Sequence, residues 1–491
     1  MNNQRQGDEQ GFLKRYLPTA ILFLLIMVVY AAFAWSLIYT GELNADEGFY
    51  CLAAEKVIEG QVPYRDFAYS QTPVLPYVNG LAMKILGFGY LQQRTINAFW
   101  GFLTLAITFY IGLRCTDKAA GLMAIWTTAA SLFWIHFICM GKTYAATGLF
   151  LILAMLGISV PRSYYKKVLV FSIAGALAIG CRFTAAPAVF VLWLFLLLQA
   201  ETTKNRVIGI VLPIFVQIML LLPFLLANSE NFIFWNISYH LGSSFNRRGW
   251  LSIRESLCLA PAVLVIITAG TILVILKLRQ FKIQELSALF AAIAGIATQL
   301  SLKSAYGETL VPFIPLGAVG AATILSKWKY FRELCFAVLI FSMLAWSGPR
   351  PTTSDSTLKA LFNTAKFVNA NTTPEGPVLT SLPIIAIEAQ RKVFENLEMG
   401  MFSLTSEIPE EKARRLHLVT PRILTELVET QKAKAIVLHS FPSLWNFYWS
   451  VPSLKKADPE QMSFFLQALN KYYNIAFVEH PFAVFLPKSD R

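Results

Sequence analysis

Long apolar runs without any charged side chain constrain the fold of this chain more than any other feature. Residues 17–38, 119–140, 207–227 and 257–276 contain no Asp, Glu, Lys or Arg. A helix needs about 20 apolar residues to cross the hydrocarbon layer of a bilayer. Charged residues make up only 14% of the chain, against about 25% in an ordinary soluble domain. The sequence therefore predicts a protein that crosses a membrane several times.

Further apolar runs raise the predicted number of membrane spans to about eleven. Residues 168–200 are interrupted by Arg182, and this stretch is predicted to form two short spans that meet there. The remaining shorter runs are residues 96–113, 144–160, 286–302, 310–325 and 334–346. The predicted fold class is an α-helical polytopic membrane protein with a small C-terminal α/β soluble domain.

The net charge of +13 lies mainly in short connections between the predicted spans. On a soluble protein this charge would suggest nucleic acid, but here the cations fall in alternate connections, so no nucleic-acid partner is expected. Short cytoplasmic loops collect Lys and Arg. We therefore expect a cytoplasmic N-terminus and, with an odd number of spans, an exported C-terminal region. The cations include Lys14 and Arg15, Arg114 and Lys118, Lys166 and Lys167, and Lys327 and Lys329.

The chain is predicted to divide into a membrane domain, residues 1–347, and an exported tail, residues 348–491. The first exported loop, residues 39–94, contains two predicted amphipathic helices, which are expected to lie in the lipid headgroup layer. Alternating helix and strand patterns in the tail predict a small α/β domain. The predicted elements are loop helices 47–59 and 72–86, tail helices 356–371, 421–432 and 459–473, strands 377–382 and 433–439, and a hairpin at 475–486.

Two adjacent carboxylates, Asp46 and Glu47, follow the predicted outer end of the first span. Charges close to the hydrocarbon layer are costly, and a membrane protein usually keeps them for a function. A carboxylate at this depth is able to take a proton from a hydroxyl group at the lipid surface. The pair is also a candidate ligand set for a divalent metal ion. Alternatively, Asp46 is the N-cap of the helix that follows.

Several cations are predicted to reach the same outer interface. Lys142 and Arg182 lie at the ends of apolar spans, while Arg247 and Arg248 lie in the second large outer loop. Lys and Arg both pair with phosphate oxygens, so we predict that these residues bind a phosphate. For each residue alone, snorkelling to lipid headgroups remains the alternative. The candidate substrate-binding residues are Tyr50, Tyr64, Arg65, Asp66, Tyr69, Gln71, His240 and Glu308.

Residues 46–97 resemble the first exported loop of the GT-C superfamily of membrane glycosyltransferases, and the likeness is greatest to its ArnT-like and protein O-mannosyltransferase-like bacterial branch. The residues that carry the resemblance are 46–50, 60–67, Tyr69, Gln71 with Pro73, and Pro76 with Tyr77. The resemblance implies a polyprenyl-phosphate sugar donor, an exported active site and a catalytic Asp in this loop, which Asp46 matches. Metal is optional in the superfamily. Relatives that modify lipid A often carry a basic residue before the proline that corresponds to Pro73, where this chain has Gln71 and Thr72, so Lys142 and Arg182 are the preferred phosphate contacts.

The predicted function is the transfer of a sugar from a polyprenyl-phosphate donor to a lipid, glycan or protein acceptor, with inversion and with Asp46 as the general base. Membrane lipids are expected partners. A polytopic transporter or flippase is one alternative, but such proteins usually place charges near the bilayer midplane. The second alternative is a ligase of cell-envelope polysaccharides that uses a diphosphate-linked donor.

Overall fold

The computed structural model describes residues 2–41, 43–159, 163–241, 261–277, 280–281, 283–302, 306–344, 355–405, 408–439 and 459–488. Up to residue 344 the described chain is helical, and the tail that follows contains a four-stranded sheet. The first ten helices are α1 (Asn2–Thr40), α2 (Ala45–Ile58), α3 (Val74–Leu86), α4 (Tyr90–Cys115), α5 (Lys118–Ala129), α6 (Leu132–Cys139), α7 (Tyr144–Ser159), α8 (Tyr164–Cys181), α9 (Ala186–Leu197) and α10 (Thr203–Ala227).

Short and long helices complete the membrane domain beyond α10. They are Ser229–Ile233, a π-helical turn at Phe234–Ser238, Tyr239–Leu241, Pro261–Lys277, Ile283–Ser301, a 3-10 helix at Gly307–Phe313, Ile314–Leu325 and Phe331–Leu344. One apolar core runs through the bundle and includes Trp134, Leu151 and Ile266, all fully buried.

Within the described residues, five helical segments are long and apolar enough to cross a membrane, and the bent pair α5 and α6 adds a sixth. The five are Leu17–Thr40, Tyr90–Cys115, Tyr164–Cys181, Thr203–Ala227 and Gly307–Leu325. Other apolar helices of the bundle are shorter, such as Tyr144–Ser159 and Ala262–Lys277. The polytopic helical class is therefore confirmed, whereas the count of eleven spans is not.

The predicted interruption at Arg182 is present. Helix α8 ends at Cys181, Arg182 has extended backbone angles, and a 3-10 turn at Phe183–Ala185 leads into α9. Pro187 lies at the start of α9, where a missing N–H leaves no hydrogen bond unmade. The break places the guanidinium group of Arg182 at the junction of two helices.

Both helices of the first loop form, but α2 is enclosed by protein. Every residue from Glu47 to Ala54 is buried, and α2 packs against the tail helix Pro383–Glu388. A Cβ atom on Gly48 would meet the backbone of that tail helix. The expected position of α2 in the headgroup layer is therefore wrong. Helix α3 does expose apolar side chains, among them Leu81 and Ile85.

The tail is an α/β domain in which the predicted helices and strands all form within the described residues. Strands β1 (Val378–Thr380) and β2 (Ala435–His439) pair in parallel, and β3 (Tyr473–Glu479) and β4 (Phe482–Pro487) form an antiparallel hairpin. The strand order is β1-β2-β4-β3. The tail helices are Asp355–Asn371, Pro383–Glu388, Glu410–Arg415, Pro421–Glu429 and Pro459–Tyr472.

Polar contacts hold the tail against the first loop and the segment after α10. The side-chain amide of Asn231 donates to the carbonyl oxygens of Tyr64 and Arg415, both at 2.8 Å. The indole N–H of Trp235 donates to the carbonyl of Leu416. These contacts join segments that are far apart in the sequence, and they fix the tail above the first loop.

Candidate functional site

A cavity of about 520 Å³ lies between the first loop, the membrane helices and the tail. Its membrane-domain wall carries four charged side chains, and its described tail wall carries none. The lining residues are Leu43, Asn44, Ala45, Asp46, Phe49, Tyr50, Ser70, Gln71, Lys142, Tyr144, Arg182, Tyr239, His240, Tyr306, Glu308 and Thr309 from the membrane domain, and Thr357, Leu382, Met401, Phe402, His439, Pro481 and Phe482 from the tail.

Asp46 lies in the first turn of α2, and its side chain lines this cavity. The N-cap of α2 is Asn44, whose side-chain oxygen accepts a hydrogen bond from the backbone N–H of Asp46. The alternative assignment of Asp46 as the N-cap is therefore wrong. Because Asn44 performs the capping, the carboxylate of Asp46 is free to point away from the helix, and its side chain remains 29% exposed.

Glu47 faces the opposite way and is fully buried. Its two carboxylate oxygens accept hydrogen bonds from Nε and Nη2 of Arg94 at 2.8 and 2.6 Å. They also accept from the backbone N–H groups of Gly141 and Asn44. Arg94 in turn donates to the carbonyl of Leu37 at the end of α1. Glu47 therefore ties together α1, α2, α4 and the turn before α7, and it does not line the cavity.

Lys142 lies between two carboxylates on the cavity wall. Its Nζ is 2.9 Å from Oδ2 of Asp46 and 3.0 Å from Oε1 of Glu308. The hydroxyl of Tyr144 donates to the same oxygen of Glu308 at 2.8 Å. Burial by itself lowers the pKa of Lys142, but Asp46 and Glu308 outweigh this effect and raise that pKa well above its usual range. Lys142 is therefore a fixed, fully charged ammonium group.

Arg182 has no carboxylate partner among the described residues. Its guanidinium group donates to the hydroxyl oxygens of Thr143 and Thr184, at 3.1 and 3.0 Å. Its Cζ lies over the ring of Tyr144, 5.2 Å from the centroid. Hydroxyl groups orient the guanidinium without forming an ion pair with it. The cavity thus contains a positioned cation with donor capacity for an anion.

Solved structures with a similar fold were found by comparison of the whole chain. ArnT from Cupriavidus metallidurans bound to undecaprenyl phosphate matches with a TM-score of 0.67 and 12% identity, over 95% of this chain and 97% of that one. The oligosaccharyltransferase of Archaeoglobus fulgidus matches at 0.53 and 13%, over 87% and 70%. Arabinofuranosyltransferase AftD from Mycobacteria matches at 0.50 and 12%, over 97% and 42%. No protein-family model and no curated protein sequence matches the chain.

The protein has the GT-C fold. All three similar structures are GT-C glycosyltransferases, and the match to ArnT runs through both the helical domain and the tail. The resemblance seen in the first loop is therefore confirmed at the level of the fold. In this GT-C fold, Asp46 lies at the junction between membrane domain and tail.

Four of the predicted substrate-binding residues line the cavity of this GT-C domain: Tyr50, Gln71, His240 and Glu308. The ring of His240 is hydrogen-bonded to the carbonyl oxygen of Ser70 at 2.7 Å, and burial lowers its pKa.

The other four predicted substrate-binding residues do not line the cavity. Tyr64 and Tyr69 are fully buried, and the hydroxyl of Tyr64 donates to the carbonyl of Gln71. Arg65 and Asp66 pair with each other at the surface, and Arg65 lowers the pKa of the Asp66 carboxyl. Tyr64 and Tyr69 therefore belong to the buried core of the loop, whereas Arg65 and Asp66 form a surface pair. The predicted phosphate-binding residues Arg247 and Arg248 lie outside the described residues.

The metal prediction for Asp46 and Glu47 does not fit the site. Both oxygens of Glu47 are occupied by Arg94 and backbone N–H groups, whereas Asp46 faces Lys142 on the other side. The two carboxylates therefore cannot act as one ligand set. Within the part of the chain that the structure describes, no group of three or more potential metal ligands occurs.

Sequence reasoning missed several residues of the site. Tyr144 follows Lys142 by two positions, and its role as a partner of Glu308 had no sequence signal, because 164 positions separate the two. No sequence pattern indicated that Tyr239 and Tyr306 line the cavity. His439 ends a predicted tail strand, and only the position of the tail over the cavity brings it to the site.

A second, smaller cavity lies along α8, the helix that ends just before Arg182. This apolar groove of about 300 Å³ lies between α8, α9 and α10 and includes Ile179, three positions before Arg182. Ala176, Gly175 and Ser172 continue the same face of α8, as the i, i+3, i+4, i+7 spacing of a helix requires. The groove therefore follows α8 from its Arg182 end toward the middle of the membrane domain.

Proposed function

We propose that this protein is a membrane glycosyltransferase that transfers a sugar from a polyprenyl-phosphate donor to a lipid, glycan or protein acceptor. The observation that carries the proposal is the carboxylate of Asp46 in a cavity that also contains Lys142 and Arg182. A base and two cations at one cavity suit a reaction in which a hydroxyl loses a proton and a phosphate leaves. The similar ArnT structure contains undecaprenyl phosphate, which supports this class of donor.

The donor phosphate binds Arg182 first in this proposal. Lys142 already faces two carboxylates, whereas Arg182 forms no ion pair with a described residue, so Arg182 is the cation whose remaining N–H donors can bind a phosphate. Guanidinium groups bind phosphate oxygens through paired hydrogen bonds. Thr143 and Thr184 hold the group in position before the donor arrives. Arg182 therefore supplies preorganised stabilisation for the leaving phosphate.

The polyprenyl chain of the donor occupies the apolar groove along α8. A lipid phosphate at Arg182 must direct its hydrocarbon chain into an apolar environment, and Ile179 and Ala176 begin that environment within two turns of α8. Burial of each CH₂ group contributes about 0.8 kcal/mol. The arrangement lets one helix bind both ends of the donor.

Asp46 acts as the general base. The acceptor oxygen attacks the anomeric carbon while its proton passes to Asp46, and the carbon–oxygen bond to phosphate breaks with both electrons going to the phosphate. Attack from the side opposite to the leaving group inverts the anomeric centre. When the donor phosphate approaches Lys142, it competes with Asp46 for the ammonium group, and Asp46 is released for proton transfer.

Glu47 is a positioning residue in this proposal. Its contacts with Asn44 and Gly141 fix the two backbone segments that carry Asp46 and Lys142. The proposal puts the site on the exported side of the membrane, which the positive-inside pattern of the sequence supports.

The test uses purified protein in proteoliposomes, a panel of labelled polyprenyl-phosphate hexoses and pentoses, and membranes of a deletion strain as the acceptor source. Asp46→Asn should lower transfer about 10²- to 10⁴-fold, which is the usual contribution of a general base. Arg182→Ala should lower it by about 10²-fold or more. The matched controls, Asp66→Asn and Arg65→Ala, alter the surface pair outside the cavity.

Full transfer by Asp46→Asn would remove the base assignment. Movement of the lipid across the bilayer without transfer would favour the flippase alternative. Transfer from diphosphate-linked donors alone would favour the polysaccharide ligase.

A further inference from the structure

Part of the tail wall of the cavity is formed at one end of the strands of the tail sheet. Ser381 follows β1 directly, and His439 is the last residue of β2, so the carboxyl ends of two parallel strands meet at the cavity. Phe482, the first residue of β4, pairs with His439 and lines the cavity as well. In α/β sheets, ligands bind outside the carboxyl ends of parallel strands.

His439 is held in a fixed orientation at this end of the sheet. Its Nδ1 lies 3.1 Å from the hydroxyl oxygen of Ser381, which is itself buried. Burial lowers the pKa of His439 to about 4, so the ring is neutral at physiological pH and carries one donor and one acceptor nitrogen. Ser381 occupies Nδ1. Within the described ranges no residue bonds Nε2, which leaves that nitrogen for a ligand.

The two walls of the cavity suit different chemical groups. The membrane-domain wall carries all four charges, whereas the described tail wall combines His439 and Thr357 with apolar side chains such as Leu382 and Phe402. A neutral ligand with hydroxyl groups and apolar faces matches the tail wall, and a phosphate does not. In the proposed inverting reaction the acceptor lies on the side of the sugar opposite to the phosphate, so the part of the acceptor beyond the hydroxyl at Asp46 faces the tail wall.

We infer that His439, positioned by Ser381, binds a hydroxyl group of the acceptor and helps to select it. This inference rests on the proposed function. His439 is then a specificity-determining residue in the tail, and the donor is bound independently by the membrane domain.

The test titrates each substrate separately. His439→Leu and His439→Gln are assayed in proteoliposomes with labelled polyprenyl-phosphate sugar and with increasing amounts of deletion-strain membranes. Loss of one hydrogen bond between neutral groups should raise the amount of membranes needed for half-maximal transfer about three- to tenfold in His439→Leu. His439→Gln retains an amide near the position of Nε2 and should recover part of the loss. His480→Leu, at an exposed position of the same domain, is the matched control.

The donor concentration that gives half-maximal transfer should stay unchanged in every variant. A rise in donor half-saturation with unchanged acceptor titration would overturn the assignment to the acceptor. Unchanged titrations in both variants would overturn the inference altogether. Absence of transfer by the unaltered protein would instead refute the proposed function.

Discussion

Substitution of Glu47 tests whether one buried ion pair holds the site together. Glu47 and the side chain of Arg94 are 0% and 2% exposed, and their two hydrogen bonds are 2.6 and 2.8 Å long. Glu47→Gln leaves the guanidinium charge buried without its partner, and the new amide N–H₂ faces N–H donors. Loss of one member of a buried ion pair costs roughly 3–5 kcal/mol. We therefore expect the free energy of unfolding to fall by about 3 kcal/mol or more.

Equilibrium unfolding in mixed micelles measures this loss, and a double-mutant cycle isolates the pair. Arg94→Met removes the unpaired charge, so Glu47→Gln combined with Arg94→Met should be less destabilised than the sum of the single changes, by about 1–3 kcal/mol. Asp66→Asn breaks an exposed ion pair and should change little. Wild-type stability of Glu47→Gln, or strict additivity of the two changes, would refute the role of Glu47 as the tie between α2 and α4.

Two further changes test the same architecture. A Cβ atom at Gly141 would overlap the side chain of Gln93. We therefore expect Gly141→Val to lower the yield of folded protein, measured by size-exclusion chromatography, and to reduce transfer. An unchanged yield and unchanged transfer would contradict the packing. Burial raises the pKa of Glu55 from 4.5 to about 6, so its ionisation destabilises the fold as pH rises through this interval. Glu55→Gln should stabilise the protein on the order of 2 kcal/mol at pH 7.5 and not at pH 4, and equal effects at both pH values would contradict this.

The helices and strands followed from local sequence patterns because their causes are local. Apolar runs without charge predicted the membrane helices, and the charge of Arg182 within such a run predicted the break between α8 and α9. In the tail, alternating patterns predicted β1, β2 and the terminal hairpin within a few residues. The number of spans did not follow from these patterns, because several apolar helices are shorter than a bilayer requires and join the bundle by packing.

Side-chain partners depended on contacts between distant segments. Asp46 and Glu47 are neighbours with the same charge, and the sequence treated them as a pair. The fold separates them because a helix turns about 100° per residue, which directs Asp46 to the cavity and Glu47 toward Arg94.

Composition and local spacing by themselves determined a polytopic helical protein, the α/β tail and a carboxylate at the start of the first loop. The tertiary structure decided which side chains form ion pairs and hydrogen bonds. Lys142 and Glu308 are 166 positions apart, and Ser381 and His439 are 58 apart. Hydropathy and helical spacing depend on near neighbours along the chain, whereas the choice of an ionic or hydrogen-bonding partner depends on which segments pack together.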